Sequence, residues 1–285
     1  MTKRGRAIAR HTLRVYDSRG IAASGRAQCD SRTRLAPLQR IFLAASLIAV
    51  SFLSAACTTS AARAKASYHY QMGLSYLGEN NITGALVELT EAEKITPDDP
   101  DLLNKLALAY YFKKKYELAE QRYLRALKIK PEFSEARNNL GVNYLQMGRW
   151  DSAIQQFKLA IDDIFFRDQE QANINLALAY LGKGDHSSAL AVIRGVVTAN
   201  PRNVLGHLHF GRIYFAMDKP ELAIDEYRKA LDLNKNFAMA HYQLALAYLK
   251  IKERTLAKNS FKEVMRLVPD SEIGQLSREY LDTLK

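Results

Sequence analysis

Cysteine, tryptophan and proline are scarce: two, one and seven among 285 residues. Two cysteines close at most one bridge, so a disulfide framework is excluded as the source of stability. No glycine-rich phosphate loop occurs. The six histidines keep no metal-ligand spacing; His207 and His209, two apart, point to different faces of a helix. No Ser, Asp, Glu and His residues stand at a spacing suited to a nucleophile and its base. These absences predict a protein that is not an enzyme and holds no metal or cofactor. The formal charge of +11 suggests nucleic acid, but its distribution excludes that partner. Residues 1–40 hold ten Lys/Arg and two Asp, residues 41–56 hold no charge, and residues 57–285 hold 31 basic and 28 acidic residues.

What the chain has is a period. Tyr76, Tyr110, Tyr144, Tyr180, Tyr214 and Tyr248 are separated by 34, 34, 36, 34 and 34 residues. Nine residues after each tyrosine stands an alanine: Ala85, Ala119, Ala153, Ala189, Ala223, Ala257. Three before it stands Gly73, Ala107, Gly141, Ala177, Gly211 or Ala245, preceded in turn by an apolar residue. The reading frame gives six copies: 66–99, 100–133, 134–167, 170–203, 204–237 and 238–271. Asp168 and Gln169 are an insertion between copies three and four.

One copy explains the columns. Leu103, Leu106 and Tyr110 lie at i, i+3 and i+7, one face of a helix A over 101–113, and helix B follows over 116–128. Ala107 and Ala119 are small because the two backbones must approach closely. The A–B turn holds Asn80, Gly148, Gly184 and Asp218 in one column, types that tolerate positive φ, with Lys114 and Lys252 as weaker choices. Pro97, Pro131, Pro201 and Pro269 are expected to end helix B. Copy five has Lys235 there, so its helix B is expected to run to Asn234 or beyond. Copy three has Phe165 there, which with the insertion predicts a longer or bent connection and a hinge between two halves. Asp99, within Asp98-Asp99-Pro100-Asp101, reads as a helix N-cap. His69, His207 and His241 share one column and read as packing residues, as does Trp150.

The 34-residue period and these columns resemble the tetratricopeptide repeat family over residues 66–271. That resemblance implies an all-α, right-handed solenoid of six helix–turn–helix repeats. Residues 272–285, with Ile273, Leu276, Tyr280 and Leu284 at helical spacing, form the polar-backed capping helix that a last repeat needs.

Upstream, the basic leader ends in Arg40 and is followed by sixteen uncharged residues, Ile41–Ala56, and then Cys57. A basic n-region, an apolar h-region and small residues before a cleavage point have the plan of a secretory signal. The cysteine makes it resemble a bacterial lipoprotein signal, which implies a covalent lipid on Cys57 and no other cofactor. Ser54 departs from the usual aliphatic residue three places before the cysteine. The alternative is an uncleaved inner-membrane signal anchor, since 22 uncharged residues separate Arg40 from Arg63. The n-region is long, so residues 1–34 are expected to be disordered or to precede the true start. Residues 57–65 are expected to be a short polar tether. Thr58 in place of Asp favours the outer membrane, facing the periplasm.

In this fold helix A lines the concave face, through repeat positions 2, 5, 9 and 12. Copy one places Tyr70, Leu74 and Leu77 there; copy two, Asn104, Leu108 and Tyr111; copy three, Asn138, Val142 and Leu145. Copy four places Ile174, Leu178 and Leu181; copy five, Leu208, Arg212 and Phe215; copy six, Tyr242, Leu246 and Leu249. The strip is apolar and aromatic and lacks the lysine/asparagine/arginine clamp of chaperone-tail-binding relatives. It predicts a protein partner docking an apolar or amphipathic segment, with Asn104 and Asn138 free to bond its backbone. The lipid signal, the short tether, the six repeats and the insertion resemble the type IV pilus biogenesis lipoproteins. The stretches 70–77, 138–141 and 162–181 carry that likeness. It implies a secretin subunit as partner; a general envelope adaptor for polysaccharide export or cell-wall hydrolases is the alternative.

Overall fold

A computed structural model describes residues 59–284. The expectations for residues 1–58, Cys57 among them, lie outside the described residues. Thirteen helices and no strand occur among those described. They are α1 over 59–78, α2 (Ile82–Ile95), α3 (Pro100–Phe112), α4 (Tyr116–Ile129), α5 (Ser134–Gln146), α6 (Trp150–Ile161) and α7 (Gln169–Lys183). Then come α8 (His186–Ala199), α9 (Val204–Ala216), α10 (Pro220–Leu233), α11 (Ala238–Lys250), α12 (Arg254–Leu267) and α13 (Glu272–Thr283). Each packs on the next. The helices α3, α5, α7, α9 and α11 also touch one another in series, whereas the even-numbered helices of adjacent copies make no such contact. The odd helices therefore form the inner layer of a curved stack, and the even ones the outer layer. No helix among the described residues is long and apolar enough to cross a membrane.

The small-residue columns mark the crossings. Ala85, Ala119, Ala153, Ala189, Ala223 and Ala257 are all completely buried. Four residues further on, the outer helix sends a large side chain under the inner one: Leu89, Tyr123, Phe157, Ile193, Tyr227 and Phe261, all buried. The space is tight. A Cβ on Gly141 would lie 2.6 Å from the Phe157 ring.

Each A–B turn closes with a residue in the left-handed region: Asn80, Lys114, Gly148, Gly184, Asp218 and Lys252, with φ between 57° and 83°. In copy two the N–H of Lys115 bonds the Tyr110 carbonyl and that of Lys114 the Tyr111 carbonyl, at 2.9 and 2.8 Å. This double bond satisfies the last carbonyls of the helix, and it holds a lysine in a conformation that glycine or asparagine would adopt at less cost.

Proline turns out not to stop the outer helices. The helix α10 ends at Leu233, the same column at which α4, α8 and α12 end, although Lys235 stands where they have proline. The stop comes from the capping residue. Asn234 is extended, with φ −144° and ψ 92°, and its side chain accepts from the N–H of Asn236 at 3.1 Å. Asn200 does the same before Pro201, accepting from Arg202 at 3.2 Å.

Between α6 and α7 the connection is longer, as expected, residues 162–168, and it is tied to both sides. The Asp163 carboxylate accepts from Ser134 Oγ at 2.7 Å and from the Phe165 N–H at 2.9 Å. The Gln169 amide donates to the Asp163 carbonyl at 2.7 Å. One core cluster runs through the junction, joining Ala153 and Phe157 to Leu176 and Ala179. The Trp150 indole adds to this, resting against Gly182 of the next copy. The connection leaves Ile164 and Phe165 81% and 86% exposed.

The structure adds a conformation to part of the expected tether. Residues 59–65 are helical and continuous with α1. Ala61, Ala62 and Ala64 are strong helix formers and no glycine or proline interrupts them. At the other end α13 packs on α12, and Tyr280 stacks on Phe261 at 4.9 Å.

Two stability measurements follow. Gly141→Ala forces a methyl group into a buried, immobile ring and should lower stability by about 1–3 kcal/mol in denaturant titration, with Phe157→Leu in the same chain relieving part of the loss. Lys235→Pro should raise stability by about 0.4–1 kcal/mol, since the preceding residue is already extended and the proline stiffens only the unfolded chain.

Candidate functional site

The inner layer presents the concave face, and its residues divide into three groups. Asn104 does not belong to the accessible surface at all. It is fully buried, its Nδ2 donates to Glu135 Oε1 at 3.0 Å, and its Oδ1 accepts from Asn139 at 3.1 Å. Asn138 is half-buried, and its Oδ1 accepts from Asn175 Nδ2 at 3.3 Å. These amides stitch one inner helix to the next, and for the buried Asn104 the backbone-bonding role expected of it is taken by the protein itself. Ile174 and Leu208 are likewise buried, 1% and 3% exposed.

A second group is half-buried because it packs on the core as well as lining the face. Tyr70 and Leu77 rest on the first core cluster; Tyr111, Val142 and Leu145 on the next. Leu178 and Leu181 rest on the third, and Phe215, Tyr242, Leu246 and Leu249 on the last. Tyr111 packs against Tyr116, ring centroids 5.8 Å apart, and Lys250 Nζ lies 4.9 Å over the Phe215 ring. Tyr242 meets Phe261 edge-on at 6.0 Å. These side chains serve stability and surface at once.

The third group is Leu74, Leu108 and Arg212, half-buried, which with Val142, Leu178 and Leu246 of the second group fill the position-9 column. Five of the six are aliphatic. This column is a continuous apolar stripe along the stack, broken only at copy five. At the N-terminal end of the face burial, together with Asp101, Asp99 and Glu135, pushes the Tyr70 phenol up to about 12; Lys105 pairs with Glu135 at 2.7 Å. At copy five the column turns polar. Arg212 donates to His209 Nδ1 at 3.2 Å, and burial together with the Arg212 charge pulls His209 down to about 4, so its ring is neutral near pH 7.

Sequence reasoning missed the carboxylates that accompany two histidines. His69 Nδ1 lies 2.7 Å from Glu88, and His207 Nδ1 lies 2.6 Å from Glu226, with His207 Nε2 3.0 Å from the Pro201 carbonyl. Both pairs are 19 residues apart, as are Arg137 and Gln156, which meet at 3.3 Å. The signal was present in the period, since repeat positions 4 and 23 face each other across every A–B crossing. These are cross-links inside a repeat. Among the described residues no three His, Cys, Asp or Glu side chains are grouped to hold a metal. Asp99 caps α3 as expected, accepting from the N–H groups of Asp101 and Leu102 at 3.0 and 3.2 Å.

Comparison with known proteins agrees with this architecture. A TPR repeat model matches residues 73–114 and 211–252. Tetratricopeptide repeat models match 104–170, 138–204 and 239–271. The Pseudomonas aeruginosa type IV pilus assembly protein PilF is 26% identical over 186 residues, covering 65% of this chain and 60% of that protein. The human protein O-mannosyl-transferase TMTC3 is also 26% identical, over 197 residues, 64% of this chain but 22% of that protein. The chain thus spans about a fifth to three fifths of these relatives. The fold is shared with the solved Pseudomonas aeruginosa PilF, at a TM-score of 0.61 and 20% identity, covering 77% of this chain and 99% of that one. PilW, described as a widely conserved type IV pilus biogenesis factor, gives a TM-score of 0.67 at 19% identity, covering 74% and 97%. Six copies of one crossing, a left-handed residue in each A–B turn, an inner layer of touching helices and the matching repeat models lead to one conclusion: the chain belongs to the tetratricopeptide repeat family, with the fold of type IV pilus biogenesis proteins.

Proposed function

We propose that this chain is a membrane-anchored, non-enzymatic scaffold of the bacterial envelope that assists the assembly or outer-membrane targeting of a type IV pilus secretin. The observation that carries the reading is the position-9 stripe on the concave face. An apolar stripe of that length along an inner layer is kept for a ligand, because a layer that only packed would bury it. The sequence likeness to the type IV pilus assembly protein PilF supports the process, and the fold shared with PilF and PilW agrees with it. The lipid on Cys57 and the outer-membrane location rest on the sequence: the basic leader, the uncharged run Ile41–Ala56 and the cysteine that follows it. The ligand is an apolar or amphipathic segment of a protein, laid along the stripe as a helix or an extended strand.

Because Leu77 and Tyr111 also pack on the cores, truncating them would confound binding with stability. Leu74 and Leu108 are the better probes. Leu74→Ser with Leu108→Ser should weaken the association with the secretin more than about tenfold, the size expected for removing interface anchors, while the melting temperature moves by only a few degrees. Secretin multimers on gels of the envelope fraction, measured beside a melting curve, read both. Normal multimers from a folded double variant would exclude the stripe.

The anchor is tested separately. One acyl chain holds a protein only marginally, whereas two or more hold it stably. Cys57→Ser should therefore abolish incorporation of an alkyne-tagged fatty acid and move the protein out of the membrane fraction. Equal labelling of variant and parent would exclude Cys57 as the lipidated residue.

A further inference from the structure

The break in the stripe at copy five is built, and it takes three side chains to build it. Tyr227 comes up from the outer helix α10 and passes under Gly211, where a Cβ would lie 2.4 Å from its ring. Its side chain is fully buried and its hydroxyl has no hydrogen-bond partner. A buried polar atom left unpaired costs free energy, so the tyrosine is held there by its packing under Gly211. Arg212 is the next residue along the inner helix after that glycine, and its charge acts on the Tyr227 phenol. His209 lies one turn earlier and is neutral, so its Nδ1 can accept from the guanidinium and fix its direction. Arg212 has no carboxylate partner among the described residues. The guanidinium has five N–H donors, and one contact with His209 leaves most of them unused. The other five copies place Leu74, Leu108, Val142, Leu178 and Leu246 at this position.

We infer that Arg212, aimed by His209, receives a carboxylate side chain of the segment that occupies the apolar stripe. The inference rests on the concave face being the docking surface, and it names the chemistry of the ligand: apolar along most of its length, with one aspartate or glutamate at copy five. A planar, delocalised cation with a fixed orientation suits a carboxylate, which it can hold with two parallel hydrogen bonds.

The test is selection of a random dodecapeptide library on the full chain in detergent, repeated with Arg212→Leu, Tyr227→Phe and the Leu74→Ser, Leu108→Ser pair. Apolar peptides that share an aspartate or glutamate should be enriched. Replacing that residue by its amide should weaken binding to the parent on the order of tenfold, as for loss of a charge-assisted hydrogen bond, and should change nothing in Arg212→Leu. Tyr227→Phe should keep the preference, since the hydroxyl it removes is enclosed in the core. Apolar peptides without a shared acid, or an acid indifferent to Arg212→Leu, would overturn the carboxylate inference and leave the stripe as the docking surface. Enriched peptides indifferent to the leucine pair, or no apolar peptides at all, would overturn the docking surface and this inference with it. Arg212→Leu restores the residue type of the other copies, so its fold is expected to hold; a melting curve checks this.

Discussion

Everything in this molecule depends on how closely two backbones can approach at one point in each repeat. A glycine or alanine on the inner helix and an alanine on the outer helix let the pair cross, and a large side chain four residues further on fills the space beneath. Because side chains at i and i+4 share a helix face, the alanine and the bulky residue act as hinge pin and wedge of one joint. The joint fixes the angle of each pair. Six repetitions of that angle then give the curvature of the stack, and the curvature decides which side chains meet on the inner face. A solenoid couples mainly neighbour to neighbour, so no distant contact corrects an error in one joint.

Most of this was legible in the sequence because a period multiplies weak signals. One alanine means little, but six in register mark the crossing, and six residues in one turn column mark a left-handed backbone even where two of them are lysines. The stack and its copies could be read without coordinates. The helix ends could not, in one respect. Proline occupies four of the six stop columns, which invited the inference that it stops the helix. Copy five shows that the extended capping residue and its side-chain turn are enough, and proline merely follows it.

The concave face was half legible. Helical periodicity says which side chains point inward, but not which of them meet across the repeat boundary. Asn104 and Asn139 are 35 residues apart and Asn138 and Asn175 are 37 apart, distances set by how adjacent inner helices slide past each other. That offset appears only when the helices are placed. The same holds for Arg212. In the sequence it is one basic residue in an apolar column; in the structure it has a neutral histidine to steer it. The long spacing of His207 and Glu226 hid their pairing for the same reason, although the repeat frame, applied to position 23, would have revealed it.

The helical character of residues 59–65 bears on how this scaffold meets its surroundings. Seven residues of flexible chain would let the stack swivel freely about whatever lies upstream. The same seven residues as helix rise about 10 Å without bending and continue straight into the first repeat. From residue 59 on, the chain therefore adds length to the stack without adding freedom to swivel. Every residue from there to the first A–B turn belongs to one rod, and the inner layer begins as an axle and not as a joint.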